Sequence, residues 1–318
     1  MADSVYPKTL KNQSTVNEFI FVGITSDQNL SHFLFILFLL IYLITVLGNT
    51  TILLSILIIK RLHTPMYFFL SNLSFSDFCL CSTVTPNMLH DFFSDRKVIT
   101  FIGCLLQLYF FATFATMESY ILSVMAYDRF VAICHPLVYV VIMNKKVCAI
   151  LMSVMYSGGF VTAGIHTICT FSSTFCGPNI INHFYCDIPP LKELACSDTY
   201  VNQTIIFGIS AGLGLVSVSI TLGSYVYIFY TIMNMQSLEG RYKAFSTCTS
   251  HLLCVSLFYG TVFFMYLRPA SNYSITHGKV VSIFYTMVIP MMNPIIYTLR
   301  NRDIRVSVGL FINKLSLL

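Results

Sequence analysis

The sequence predicts an all-α membrane protein, a bundle of seven transmembrane helices with its N-terminus outside. A short amphipathic helix is expected after the seventh. Three observations lead there: a composition too apolar for a water-soluble particle, seven apolar runs of spanning length, and an uneven placement of basic residues between the loops.

Of 318 residues, 56% are hydrophobic and 10% charged. Soluble domains hold about 45–50% apolar and about 25% charged residues, so this chain cannot coat itself with charge and needs lipid as its solvent. The net charge of +5 does not point to nucleic acid. The charges sit in short loops between apolar runs, and no basic stripe with interleaved aromatics runs along an exposed segment.

A helix crosses the hydrocarbon core with about 20 apolar residues. Seven segments qualify, at 33–59, 66–88, 101–128, 147–167, 203–232, 244–267 and 279–299, the fourth being the weakest. They divide the chain into an extracellular tail (1–32), a seven-transmembrane domain (33–299) and a cytoplasmic tail (300–318). Residues Met1 to Asn29 are mostly polar and lack the basic start and apolar core of a cleavable signal, so the first span reads as a retained signal anchor. With the N-terminus outside, the inner segments hold eleven Lys and Arg (Lys60, Arg61, Arg129, Lys145, Lys146, Arg241, Lys243, Arg300, Arg302, Arg305, Lys314) and the outer ones seven. This bias fixes the orientation. The sequon at Asn12 falls in the outer tail, where glycosylation is feasible. Sequons at Asn29, Asn202 and Asn272 lie outside but near helix ends, and those at Asn49 and Asn72 fall within spans as chance matches. In the last tail Ile304, Val308, Leu310 and Phe311 suit a short helix on the inner leaflet.

Chemistry-bearing residues are few. Of eleven cysteines, Cys104, Cys169, Cys176, Cys186 and Cys196 lie on the outer side, where disulfides are expected; spacing leaves their connectivity open. The other six read as buried thiols. Ionisable residues inside spans are costly and need a reason. Asp77 lies midway along the second span and Glu118 midway along the third; Asp128 and Arg129 stand at the third span's inner end. Cys104 and Arg129 are about 37 Å apart along one helix. Taken alone, Asp128-Arg129 also fits a solvated helix end with a local ion pair. No nucleophile–base pair or metal-binding helix pattern suggests an enzyme, and Pro290 and Pro294 interrupt one helix only, unlike the repeated broken helices of transporters. His183-Phe-Tyr-Cys-Asp187 could ligate a metal, although Cys186 is better used in a disulfide.

Longer strings are specific. Met125-Ala-Tyr-Asp-Arg-Phe-Val-Ala-Ile-Cys-His-Pro-Leu137 closely resembles the odorant-receptor signature at the inner end of the third helix. In order along the chain come Gly48-Asn49, Leu62-His-Thr-Pro-Met-Tyr-Phe-Phe-Leu-Ser-Asn-Leu-Ser74 with Asp77, Ser224-Tyr225, Lys243-Ala-Phe-Ser-Thr-Cys-Thr-Ser-His251, and Pro290-Met-Met-Asn-Pro-Ile-Ile-Tyr-Thr-Leu-Arg-Asn301. Together they span nearly the whole chain and resemble the vertebrate odorant receptors, a family of rhodopsin-like G-protein-coupled receptors. Met265-Tyr-Leu-Arg-Pro269 looks like the terrestrial-type group. Phe130, Met292 and Thr298 depart mildly from the family's usual residues, and the sixth helix carries Tyr259-Gly260 with no proline.

The resemblance implies a multi-pass plasma-membrane receptor without chemistry of its own. A volatile small-molecule odorant would shift a two-state bundle by binding one arrangement more tightly. The inner face would then engage a heterotrimeric G protein of the stimulatory, olfactory type and raise cAMP. Arg129, Tyr225, His251 and Tyr297, with Asp128, Asn293 and Pro294, match the family's inner switch. By the same resemblance Cys104 pairs with Cys186 and Cys176 with Cys196, leaving Cys169 a free thiol. Asp77 and Glu118 match positions lining a small polar cavity, where two carboxylates in low dielectric need a shared proton or a cation such as sodium. Asn49, Ser123 and Asn293 are candidate helpers, and a neutral hydrogen-bonded pair without an ion is the alternative.

The resemblance implies a ligand site between the Cys104 anchor and the Glu118 level; taken alone, the residues there also fit a stripe that merely packs helices together. On the third helix Leu108, Phe111, Ala112, Ala115, Thr116 and Ser119 share a face. Opposing walls are expected from Ile209, Ser210 and Leu213 on the fifth helix, Tyr259, Val262, Phe263 and Tyr266 on the sixth, and Ile283, Thr286 and Met287 on the seventh. None is charged, and several offer hydroxyls, which suits a small, neutral, largely hydrophobic ligand such as an alcohol, aldehyde, ketone or ester. An amine receptor would want a carboxylate high in the third helix, where this chain has Phe110-Phe111-Ala112.

Overall fold

The computed structural model describes residues 16–25, 27–266, 275–300, 304–306 and 309, with side chains at 262–266, 275–277 and 300 left aside. Asn12, the side chains of Val262, Phe263 and Tyr266, and most of the expected helix after the seventh span therefore lie outside the described residues. Of that last helix, Ile304–Val306 is helical, and Ile304 is buried in the main core.

Seven long helical stretches form the bundle. They are α1 (Gln28–Ile58), α2 (Pro65–Asp91), α3 (Phe101–Cys134), α5 (Lys145–Phe171), α7 (Tyr200–Asn234), α8 (Leu238–Tyr266), and a seventh made of α9 (Ile275–Ile283), a π-helical turn (Phe284–Val288) and α10 (Ile289–Arg300). Two short helices lie in loops, α4 (Tyr139–Ile142) and α6 (Ile188–Glu193). Helix starts follow local chemistry. Asp27 accepts from Asn29 N and Leu30 N, Thr100 Oγ1 from Gly103 N, and Asn144 Oδ1 from Val147 N, while Pro65 opens α2. Pro290 has no N–H, and its ring crowds the carbonyl four residues back. The widened turn immediately before it is the helix's answer.

Among the described residues, five stretches are long and apolar enough to cross a membrane on composition alone: α1, α3, α5, α7 and 278–299. The fourth span, expected to be the weakest, is among them; α2 and α8 are not. These two carry polar residues such as Ser74, Ser76 and Asp77, or Ser250 and His251, and those residues are buried within the bundle. Apolar side chains cover the outside, including Phe33, Leu47 and Leu57 on α1 and Leu215, Val226 and Phe229 on α7. Helix α3 is central and packs against α2, α5, α7 and α8. It also runs further inward than the segment 101–128, reaching Cys134. Asp128 and Arg129 thus sit within the helix, with side chains 0% and 12% exposed. A solvated helix end does not describe them.

The small outer β-sheet had no signal in the sequence. Strand β1 (Glu18–Phe21) of the outer tail lies between β2 (Val98–Thr100) and β3 (Ile180–Ile181). It runs antiparallel to β2, with Phe19 opposite Ile99, and parallel to β3, with Ile20 opposite Ile180. Phe19, Phe21 and Ile181 turn inward onto Leu108 and the two half-cystines Cys104 and Cys186. The chain leaves β1 through Gly23 at φ 80°, a conformation glycine adopts without steric cost.

Candidate functional site

The outer end is roofed by the loop between α5 and α7. Cys104 is bonded to Cys186, with Cα atoms 5.5 Å apart, and Cys176 to Cys196, at 5.8 Å; Cys169 is free. These are the two pairs the resemblance implied, and the first removes Cys186 from any metal site. Gln107 of α3 reinforces the first bond. Its Oε1 accepts from Cys186 N at 2.9 Å and its Nε2 donates to the Thr83 carbonyl at 3.2 Å. The loop is also tied to the seventh helix. The Tyr185 and Tyr285 hydroxyls meet each other, and both reach Asp187 Oδ2, at 2.9 and 3.2 Å. Burial pushes the Asp187 carboxyl above its usual range, while the tyrosine hydrogen bonds pull it back. Beside it, burial and then the Lys279 charge push the His183 imidazole down to about 3, and Ser282 Oγ lies 3.3 Å from its Nε2.

Below this roof the expected pocket residues separate into groups. Phe111 packs its ring against Tyr185 and Tyr285. It shares an apolar cluster with Ala115, Ile283 and Met287. Ala112 is buried, Thr116, Ile209 and Leu213 are half-buried, and Thr286 Oγ1 donates back to the Ser282 carbonyl. Leu108 belongs instead to the cluster beneath the β-sheet. Ser210 lies toward α5, with Oγ 3.3 Å from His166 Nε2.

Ser119 and Tyr259 are brought together by a residue absent from the expected set. Ser217 of α7 lies with its Oγ 2.8 Å from Ser119 Oγ, 2.5 Å from Ser123 Oγ and 2.5 Å from Tyr259 Oη. Three helices therefore meet through hydroxyls at this level. The signal was present in the sequence, because Ser210, Leu213 and Ser217 recur at helical spacing. Tyr185, Asp187 and Tyr285 offered no comparable signal, since their partners lie on different elements.

One level deeper, Asn293 Nδ2 donates to both oxygens of Asp77, at 3.1 and 2.9 Å, and the Glu118 side chain hydrogen-bonds Asp77. Asn49 donates to the Thr45 and Pro290 carbonyls, each at 3.0 Å. Glu118 Oε1, Asn49 Oδ1 and Asn293 Oδ1 are buried oxygens without a hydrogen-bond partner. Oxygens of this kind suit a hard cation. Ser123, a candidate helper here, is engaged with Ser217 instead.

At the inner end Arg129 Nη2 pairs with Asp128 Oδ2 at 2.9 Å, and Tyr139 of α4 donates to Asp128 Oδ1 at 2.9 Å. Tyr225 Oη lies 2.6 Å from His251 Nδ1, joining α7 to α8. Tyr297 is buried in the main core, and Pro294 lies against Gly48. The switch residues thus form separate pairs here, with Arg129 held by its own neighbour.

A seven-helix bundle with a disulfide-pinned outer loop, a hydroxyl cluster in its outer half and an ion-paired arginine at its inner end defines a membrane receptor of the rhodopsin fold. Squid rhodopsin shares that fold, with a TM-score of 0.68 over 92% of this chain and 87% of that one, at 16% identity. A family model described as olfactory receptor matches residues 38–314. Olfactory receptor 5AR1 of Mus musculus is 50% identical over 96% of this chain and 98% of its own length. The Homo sapiens receptor of that name is 49% identical over 96% and 99%, and Olfactory receptor 5G26 of Mus musculus 51% identical over 93% of each. The chain belongs to the olfactory receptor family. It is a multi-pass plasma-membrane receptor that works by signalling rather than as an enzyme, with a small-molecule ligand and a G protein as partners.

Proposed function

We infer that this receptor takes a small, neutral, largely hydrophobic volatile molecule between α3, α7, α8 and the seventh helix, and activates a stimulatory, olfactory-type heterotrimeric G protein that raises cAMP. The observation that carries the reading is the meeting of Ser119, Ser217 and Tyr259 hydroxyls from three helices, beneath apolar Phe111, Ala115 and Met287. Pockets for small molecules are apolar with a few placed polar groups. Lipid surrounds the bundle, and nucleic acid has no part in the reading. The Asp77–Glu118 pair would hold a shared proton or a sodium ion, with Asn49 and Asn293 supplying oxygens to the cation. Ala112→Leu and Ala115→Leu test the site. Filling it should abolish odorant-evoked cAMP at unchanged surface expression, and an unchanged dose-response in both would place the ligand elsewhere.

A further inference from the structure

The Ser217 hydroxyl has more neighbours than it can satisfy. Its Oγ faces the hydroxyls of Ser119 (2.8 Å), Ser123 (2.5 Å) and Tyr259 (2.5 Å), and the Ser119 carbonyl at 3.0 Å. A serine hydroxyl donates one proton and accepts at two lone pairs. Proton placement is therefore constrained.

Tyr259 fixes the first choice. A phenol is a stronger hydrogen-bond donor than an alkyl hydroxyl, and Ser217 Oγ is its near neighbour at 2.5 Å. Its other partner, Ser123 Oγ, is at 3.4 Å. Tyr259 donates and Ser217 accepts. Two of the placements open to the remaining protons show the constraint. In one, Ser123 also donates to Ser217, which donates to Ser119, and the Ser119 proton stays free. In the other, Ser217 donates to Ser123, Ser123 donates to the Ser119 carbonyl at 2.9 Å, and Ser119 donates to Ser217. Both leave the Tyr259 oxygen with lone pairs and no proton to give.

We propose that Ser217 is a positioning residue that commits the Tyr259 proton, so that the pocket selects a ligand that donates a hydrogen bond, an alcohol in preference to an aldehyde, ketone, ester or ether. The proposal rests on the pocket reading above and names the ligand class for that site. An alcohol donates to Tyr259 and, in the first arrangement, also accepts from Ser119. A carbonyl or ether oxygen meets a lone pair at Tyr259. Removing Ser217 frees the phenol proton, and an acceptor ligand then gains what the alcohol loses.

The test uses the full-length receptor in cells with a cAMP readout and surface-expression control. The probes are hexanol, octanol, benzyl alcohol and geraniol, each with its matching aldehyde and methyl ether. In the native receptor the active alcohol should be about tenfold more potent than its aldehyde or ether, the size of one net hydrogen bond. Ser217→Ala should cut that ratio about tenfold, and Ser217→Thr, which keeps the hydroxyl, should restore it. Tyr259→Phe should also erase it, which covers the case of an Ala variant that fails to reach the surface. A merely structural role for Ser217 would shift alcohol and aldehyde together. Equal potency of the matched pair, no response to any of the alcohols, or a preference that survives both Ser217→Ala and Tyr259→Phe overturns the proposal. An alcohol response untouched by Ala112→Leu and Ala115→Leu would instead defeat the pocket reading.

Discussion

Gly48 of α1 lies so close to Pro294 of α10 that a Cβ at position 48 would sit 3.1 Å from the proline's Cβ and Cγ. The contact explains why a glycine precedes Asn49, whose amide reaches Pro290 one turn away on the same helix. Neither side of it can yield easily, because both atoms belong to a ring locked into the helix. Gly48→Ala should cost about 1 kcal/mol and Gly48→Val about 2–3 kcal/mol through overpacking. Thermal unfolding of the detergent-solubilised receptor and surface expression would both report the loss, with Val the more severe.

Tyr139→Phe removes the α4 hydroxyl from Asp128 while leaving the Asp128–Arg129 pair in place. A hydrogen bond to a charged group contributes about 1.5–3 kcal/mol. Without it, the hold on the Asp128–Arg129 pair is weakened, and under the proposed coupling ligand-independent cAMP should rise several-fold. Unchanged basal activity at equal expression would show that α4 does not restrain Arg129.

The buried His183 makes the outer loop acid-sensitive. In the folded loop its pKa falls to about 3, against an ordinary value of 6.5. The unfolded chain therefore binds the extra proton between those values. The His183 contribution is complete above about pH 6.5 and is lost at ~1.4 kcal/mol per pH unit as pH falls toward 3. Asp187, raised by burial, acts in the opposite direction. The difference between the native receptor and His183→Gln isolates the imidazole. Melting temperature between neutral pH and about pH 5 should fall more in the native chain than in the variant.

Agonist potency should respond to sodium if a cation joins Asp77 and Glu118. Removing one carboxylate by Glu118→Gln should abolish that response, since a cation shared by two carboxylates loses most of its attraction with one. Indifference to sodium in the native receptor, with normal signalling by Glu118→Gln, leaves the shared proton as the account of the pair.

Opening the Cys176–Cys196 bond should destabilise the outer loop by ~3 kcal/mol, the entropic worth of a loop of its length. Cys176→Ser and Cys196→Ser should behave alike, and the double variant should be no worse than either. Hydrogen exchange in the loop gives the readout.

Much of the architecture was legible because lipid punishes ambiguity. Long apolar runs and basic loops leave few alternatives, and Asp128-Arg129 within its surrounding string marked the last turns of α3, which runs on to Cys134. Composition alone understates α2 and α8, because a buried serine or histidine lowers apolarity as much as an exposed one does, yet both were legible as spans at 66–88 and 244–267. Helix-face reasoning put Ser119 and Tyr259 in one set, and the structure joins them through Ser217. It grouped Leu108 with them, whereas Leu108 packs beneath the tail strand, and it left out Ser217 although that residue continues the helical spacing of Ser210 and Leu213. The Tyr185–Asp187–Tyr285 link joins a loop to a helix across about a hundred positions, a pairing that no local period encodes.

The tail strand sets an order of events in biosynthesis. β1 is made and exported first, yet its parallel partner lies 160 positions on, at Ile180 opposite Ile20. Four spans must be threaded before that partner emerges on the same side. Until then Phe19 and Phe21, both buried in the finished receptor, lack the side of their cover that β3 and Ile181 supply. Contacts this remote in sequence form late. A chain stopped before its second outer loop therefore holds a tail strand without its parallel partner.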